Sequence, residues 1–259
     1  MDDEELLRWR GMPSRYREVM LELVDAVVGG EYREAAWLPP PADLQLRFGC
    51  SRGTLREALR AGEERGLLEV LNGRGHRVHQ RERWDLLDAD VLRAAIAKGP
   101  DPALVAQLVD ARAALEREAA LRVLEQATDA DLGLLADVIE ALAETAAAST
   151  AVHETAAIRP AGAAVRGAAD DDAFAAAEAW FHQTLALLSG NPLLAKLGEP
   201  LHPRLAQLRR QRAPSRDGAV IRHHRRILEG LSSREPPLAL AAVDGYARQL
   251  ARWLGTAAR

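Results

Sequence analysis

Residues 50–78 read CSRGTLREALRAGEERGLLEVLNGRGHRV. Ser51 is an N-cap residue type, and after it Leu55, Ala58, Leu59 and Gly62 recur on one side of a helix that Gly66 closes. The following LLEVLNGRGHRVHQ has strand character on both sides of Asn72-Gly73, a pair that tolerates positive φ and so favours a tight hairpin. Working upstream, LPPPADLQLRFG gives a proline-rich turn and a short helix from about Ala42 that Gly49 ends. Before that, Tyr16, Val19, Met20, Leu23, Val24 and Val27 space a helix over residues 13–29, stopped by Gly29-Gly30. Helix, helix, turn, helix, hairpin is the order of a winged helix-turn-helix.

The chain as a whole carries a formal charge of −4, which argues against coating nucleic acid with its entire surface. From Arg47 to Arg83, however, nine arginines stand against five carboxylates, a local excess of four. In a helix-turn-helix the second helix enters the major groove by its N-terminal end, where free N–H groups and the helix dipole favour phosphate. Ser51, Arg52, Gly53 and Thr54 occupy that end, and Arg56 lies one turn beyond Arg52 on the same face. Gly73 and Gly75 let a wing tip approach a sugar-phosphate backbone, with Arg74 between them to reach the minor groove and His76 beside it. The bland alternative for each arginine is an ion pair on a solvated face, such as Arg56 or Arg60 with Glu57, Glu63 or Glu64.

The remainder is helical in pattern, so the fold is expected to be mainly α: a winged helix-turn-helix over residues 1–82, a linker with a short helix over 83–100, and an all-α antiparallel bundle over 101–259. Residues 103–126 carry Leu104, Leu108, Ala111, Leu115 and Ala119 at helical spacing, and Thr128 or Asp129 can cap the next helix. The Ala- and Gly-rich stretch 146–169 reads as loop or broken helix. Helices are expected again at 170–189, 191–212, 216–232 and 236–255. A single cysteine, Cys50, excludes an internal disulfide framework and suits a reducing cytoplasm. The acidic start MDDEELLRWR lacks the order of a signal peptide, and no apolar run approaches a membrane span.

Several polar residues fall on the apolar sides of these helices. Glu178 and His182 lie among Phe174, Phe181 and Leu185, and His224 among Val220, Ile227 and Leu231. Tyr246 lies among Val243, Leu250 and Trp253, and Arg112 among Val105, Leu108, Val109 and Ala119. Buried charges and imidazoles are costly unless partnered, so several inward polar groups imply a pocket; any one of them alone is better read as a satisfied core residue.

The stretch LPPPADLQLRFGCSRGTLREALRAGEERGLLEVLNGRGHRV resembles the DNA-binding domain of the GntR family of bacterial transcription regulators. The resemblance implies that Ser51, Arg52 and Arg56 contact DNA from the recognition helix and Gly73 and Gly75 from the wing. It departs at Pro40, Pro41 and Ala42, where relatives carry Ser-Glu-Arg; Arg47 is the nearest substitute for the lost arginine. The helical half is similar to the FadR-like branch with its FCD domain, through WDLLDADVL, LVDARAALEREAALR, EAWFHQTLALLSGNPLL and HRRILEGL.

That branch implies a homodimer whose bundle binds a small organic acid, a sugar acid or hydroxy acid being the first expectation, often through a metal held by one Asp and three His. Glu178, His182 and His224 fall on three of the four ligand positions, so a divalent metal such as zinc is a candidate cofactor. The fourth position is Tyr246, and a neutral phenol is a poor zinc ligand. Three donors with open positions and an abandoned metal site are both open, and His153 and His202 are unplaced candidates. Arg112 falls where a guanidinium would grip the acid, with an ion pair to Glu116 or Glu178 as its structural alternative. Asn191 is either an effector contact or a helix cap. The expected function is a cytoplasmic, sequence-specific DNA-binding regulator, a repressor first, that binds a double-stranded operator under control of the acid. The alternatives are a metal-dependent enzyme with the N-terminal domain as tether, against which no nucleophile motif is found, and a dimerising scaffold with a filled bundle.

Overall fold

The structure is a computed structural model that describes residues 15–71, 73–97, 99, 101–156, 167–213 and 217–256, the side chains of 149–156 and 167–172 excepted. The chain divides into two compact units at Gly99.

In the N-terminal unit, α1 (Arg15–Val28), α2 (Pro41–Phe48) and α3 (Arg52–Glu64) precede the antiparallel strands β1 (Leu68–Leu71) and β2 (Gly75–Val78). Glu69 stands opposite Arg77 and Val70 opposite His76, and Trp37 adds a bridge to Arg77. Val19, Leu23, Val27, Leu44, Phe48, Leu55, Leu59, Leu67 and Val78 close one core beneath the helix-turn-helix. Gly49 ends α2 in the left-handed region at φ 55, the conformation that turns the chain sharply into Ser51. Gly66 has φ +67, and a Cβ there would lie 2.0 Å from the Arg83 carbonyl oxygen; only glycine lets the hairpin base pass so close to residues 81–84. Asn72, half of the anticipated hairpin dipeptide, lies outside the described residues.

The short helix expected in the segment 83–100 is α4 (Ala89–Ala97). It packs on α1, and Trp84, Val91 and Ala94 join the N-terminal core. Arg17 holds Asp90 through two hydrogen bonds of 2.8 and 3.0 Å, and Arg93 holds Asp25 at 2.8 Å. The segment read as a linker is thereby part of the N-terminal unit.

The C-terminal unit contains α5 (Pro102–Gln126), α6 (Asp129–Ala156), α7 (Gly167–Leu188), α8 (Pro192–Gly198), α9 (Leu201–Arg212), α10 (Asp217–Ser232) and α11 (Pro236–Leu254). Two expectations change. The stretch from 146 is helical through Ala156, because residues 134–156 hold no Gly or Pro and many alanines, the strongest helix formers. Residues 167–169 open α7, and 157–166 lie outside the described residues. The single helix expected over 191–212 is two, broken at Glu199-Pro200, since proline lacks the N–H that a continuing helix would need. Helix α7 contacts α5, α6, α8 and α9, and α11 contacts α5, α9 and α10. Phe174, Phe181, Leu185, Val220, Ile227, Leu231, Val243 and Tyr246 form the core between them. No helix among the described residues is long and apolar enough to cross a membrane.

Candidate functional site

Two sites emerge, one on the surface of the N-terminal unit and one inside the C-terminal unit.

On α3, the Ser51 hydroxyl accepts the Thr54 N–H at 3.1 Å and lies 2.9 Å from the Thr54 hydroxyl, which fixes the helix start. Arg52 and Arg56 are exposed and enter no ion pair among the described residues, and the same holds for Arg74 at the wing tip. Arg60, by contrast, pairs with Glu64. Arg52, Gly53, Arg56 and His76 line one groove of about 710 Å³ between α3 and the hairpin. Gly73 and Gly75 adopt φ 75 and φ 97, with open space around both.

Two candidates are placed differently from the reading above. Arg47 pairs with Glu31 on the surface and lies over the rings of Tyr32 and Phe48. The His76 ring bonds Glu63 at 3.0 Å and ties the wing to α3. The relevant partners lie 16 and 13 residues away along the chain, beyond what local spacing reveals.

The interior site gathers Arg112 and Glu116 from α5, Glu178 and His182 from α7, His202 and Arg209 from α9, His224 from α10 and Tyr246 from α11. All are at most 2 % exposed. Its polar groups fall into a satisfied half and an unsatisfied half. In the satisfied half, Glu178 accepts from Arg209 at 2.6 and 3.0 Å on one oxygen and from the Tyr246 hydroxyl at 2.5 Å on the other. Arg209 also donates to Asp217 at 2.9 Å. Burial opposes the Arg209 charge, but Glu178, Tyr246 and Asp217 outweigh it and raise the pKa. Burial and then Glu178 push the Tyr246 phenol well above its ordinary value, so it is neutral and donates.

His224 Nδ1 lies 2.7 Å from the Val220 carbonyl and therefore carries a proton; its bare Nε2 faces His182 Nε2 at 3.2 Å, so the proton between the rings sits on His182. Burial pushes the His224 pKa down to about 4, that of His202 to about 3 and that of His182 well below its usual value.

In the unsatisfied half, Arg112 Nε lies 3.1 Å from a Glu116 oxygen, the ion pair anticipated as its structural role, and its guanidinium lies 4.9 Å from the Tyr246 ring centroid. Yet among the described residues no nitrogen of Arg112, neither oxygen of Glu116, nor either ring nitrogen of His202 has a hydrogen-bond partner, and His182 Nδ1 has none although Glu116 is 2.8 Å away. Buried polar groups are ordinarily satisfied, so this cluster is the polar feature of the interior that calls for an explanation.

Arg112, Glu178, His182, His224 and Tyr246 are therefore brought together. Asn191 is not used in this way: its amide oxygen accepts the Leu193 N–H at 3.0 Å and caps α8. Glu116, His202 and Arg209 were missed as a group. The available signal was the stripe Leu201, Leu205, Ala206 and Leu208 on α9, within which His202 and Arg209 stand two turns apart. His153 lies outside the described side chains.

The set Glu178, His182 and His224 does not fit a divalent metal. Both Glu178 oxygens are engaged, one by a guanidinium, and Tyr246 adds a neutral phenol. Only the two imidazoles converge, beside two buried cations. Among the described residues no group of three or more His, Cys, Asp or Glu side chains is placed to hold a metal ion.

A winged helix joined to a helical domain with a buried polar cluster defines a two-module regulator. Residues 15–78 match the bacterial regulatory proteins of the gntR family and residues 107–248 match the FCD domain. The chain belongs to the GntR family of bacterial transcription regulators, in the branch that carries an FCD domain. It is 28 % identical over 179 residues to the galactonate operon transcriptional repressor of Escherichia coli K12, covering 69 % of each chain. It is 25 % identical over 231 residues to the transcriptional repressor NanR of Citrobacter rodentium, covering 87 % of this chain and 79 % of that one. The solved structure of Lar, which controls expression of the Listeria monocytogenes agr system, shares the fold at a TM-score of 0.64 and 15 % identity, covering 94 % of this chain and 98 % of that one. The metal-dependent enzyme alternative is set aside: the family and its characterised relatives are regulators.

Proposed function

We propose that the protein is a homodimeric, cytoplasmic repressor that binds a near-palindromic operator through Arg52, Arg56, Arg74 and the amino end of α3, and releases it when a sugar acid or related hydroxy acid enters the polar cluster around Arg112. The observation that carries the acid-binding part is the Arg112 guanidinium, 0 % exposed and, among the described residues, without a hydrogen-bond partner on any of its three nitrogens. A carboxylate is the group that matches such a fork, through two parallel charge-assisted hydrogen bonds. Glu116 and His202 add an acceptor and an imidazole for hydroxyl groups on the same guest. The galactonate operon repressor among the relatives supports a polyhydroxy acid.

The operator half rests on Arg52 and Arg56, which no carboxylate among the described residues neutralises, one turn apart at an exposed helix start. For the dimer, Trp180 and Leu187 are half exposed two turns apart on α7, and Leu193 is 70 % exposed on α8. Apolar side chains of that size in one region support coverage by a second copy.

The test is a melting-temperature screen of sugar acids, each compared with its parent sugar, followed by gel shift on a duplex selected from a random pool. An acid that raises the melting temperature and lowers duplex retention, while its neutral sugar does neither, is the expected result. Equal behaviour of acid and sugar would sink the Arg112 assignment.

A further inference from the structure

The satisfied half of the interior site supplies its own counter-charge to Glu178. Glu178 is a fully buried carboxylate beside two histidines, and such a group needs a positive partner. A bound divalent cation is one solution. This chain has another: Arg209, itself 0 % exposed, is delivered from α9 and places Nε and a terminal nitrogen on the same Glu178 oxygen at 3.0 and 2.6 Å. Its other terminal nitrogen reaches Asp217 at the start of α10, so one guanidinium ties α7, α9 and α10 together. The second Glu178 oxygen is taken by Tyr246 from α11.

We propose that Arg209 is a built-in cation that takes the place of a metal: it neutralises Glu178, ties α7, α9 and α10 together, and makes ligand binding by this protein independent of divalent metal.

The chemistry of the remaining groups agrees. The two imidazoles share one proton across 3.2 Å, which satisfies both facing nitrogens without a metal. Arg112, Arg209 and Arg210 bring three positive charges to this region, against which Glu116, Glu178 and Asp217 bring three negative ones. A divalent ion added to this balance would be repelled unless a guanidinium left. Tyr246 completes the exchange, because a phenol can donate to the carboxylate that a fourth imidazole would have left to the metal. The inference goes beyond acid sensing and is tested without any acid.

The experiment is calorimetric titration of the chelator-treated, dialysed full-length protein with zinc and with cobalt, the latter followed by its visible absorption bands. The unaltered protein is expected to show no stoichiometric uptake and no tetrahedral cobalt spectrum. The double variant Arg209→Leu, Tyr246→His frees Glu178 and restores a fourth imidazole. It is expected to bind zinc at least about tenfold more tightly than Tyr246→His alone, the range by which supporting groups alter metal sites. Should the double variant fail to fold without metal, refolding on zinc addition, read by circular dichroism, supports the proposal equally. Stoichiometric zinc or cobalt binding by the unaltered protein overturns it, and so does equal affinity in the single and double variants.

Discussion

The two units use arginine in opposite ways. On α3, Arg52 and Arg56 are exposed and without a carboxylate partner among the described residues, so their charge projects outward. Inside the helical unit, Arg112 and Arg209 are fully buried, and there each partner, or its absence, decides what the residue does. Arg209 is saturated by Glu178 and Asp217 and holds helices. Arg112 has an ion-pair neighbour but no hydrogen-bond partner among the described residues, which is why the proposed acid is assigned to it. A surface arginine costs little to leave unpaired because water solvates it, whereas a buried one is costly until something arrives. The proposed function assigns a polyanion to the outer arginines and one small anion to the inner one.

This contrast can be broken most forcefully at Arg209. Replacing it by leucine leaves Glu178 buried beside an apolar group, and the expected loss is about 3–5 kcal/mol of unfolding free energy in urea titration. A loss too small to resolve would mean that the buried network carries no stability. On the outside, Arg52→Ala and Arg56→Ala should each weaken operator binding by about 1–3 kcal/mol in gel shift and leave the melting temperature unchanged. If either variant melts markedly lower, that arginine belongs to the fold rather than to the groove.

The pH response sharpens the contrast further. His224 and His202 titrate at about 4 and about 3 when folded, below the 6.5 of the unfolded chain. The unfolded state therefore binds more protons as pH falls through 6.5, and stability, fully present above that value, declines toward pH 4. Each imidazole contributes a slope of about 1.4 kcal/mol per pH unit in that window. Stability measured by urea unfolding at pH 7 and pH 5 should differ accordingly, and a His202→Phe variant should show a shallower decline. The smallest effect is at the helix start: Ser51→Ala is expected to cost about 1 kcal/mol through the lost cap to the Thr54 N–H, again by urea unfolding.

The same contrast explains what the sequence could reveal. The winged helix was legible because its signals are local: Ser51 before an apolar-periodic run, Gly49 and Gly66 at the turns, and a glycine-flanked wing. The inward histidines and Arg112 were legible because each interrupts an apolar stripe of its own helix. What stayed hidden depends on which helices meet. Arg209 sits in LRRQR, a run that reads as a solvated helix end until α7 and α10 supply Glu178 and Asp217. Arg47 reads as a free cation until Glu31 folds against it. The metal expectation followed from residue types at the right spacing, which cannot reveal that Arg209 reaches Glu178 from another helix. Trp84, Val91 and Ala94 likewise read as linker residues until α1 offers them a core.

The account stands most directly on whether Arg112 couples an internal anion to the external DNA surface. Operator affinity of the unaltered protein and of Arg112→Gln should be titrated against the strongest acid from the melting screen. The account predicts that the acid weakens operator binding by the unaltered protein, while Arg112→Gln holds DNA equally well with and without it. Equal release of DNA from both proteins would contradict it.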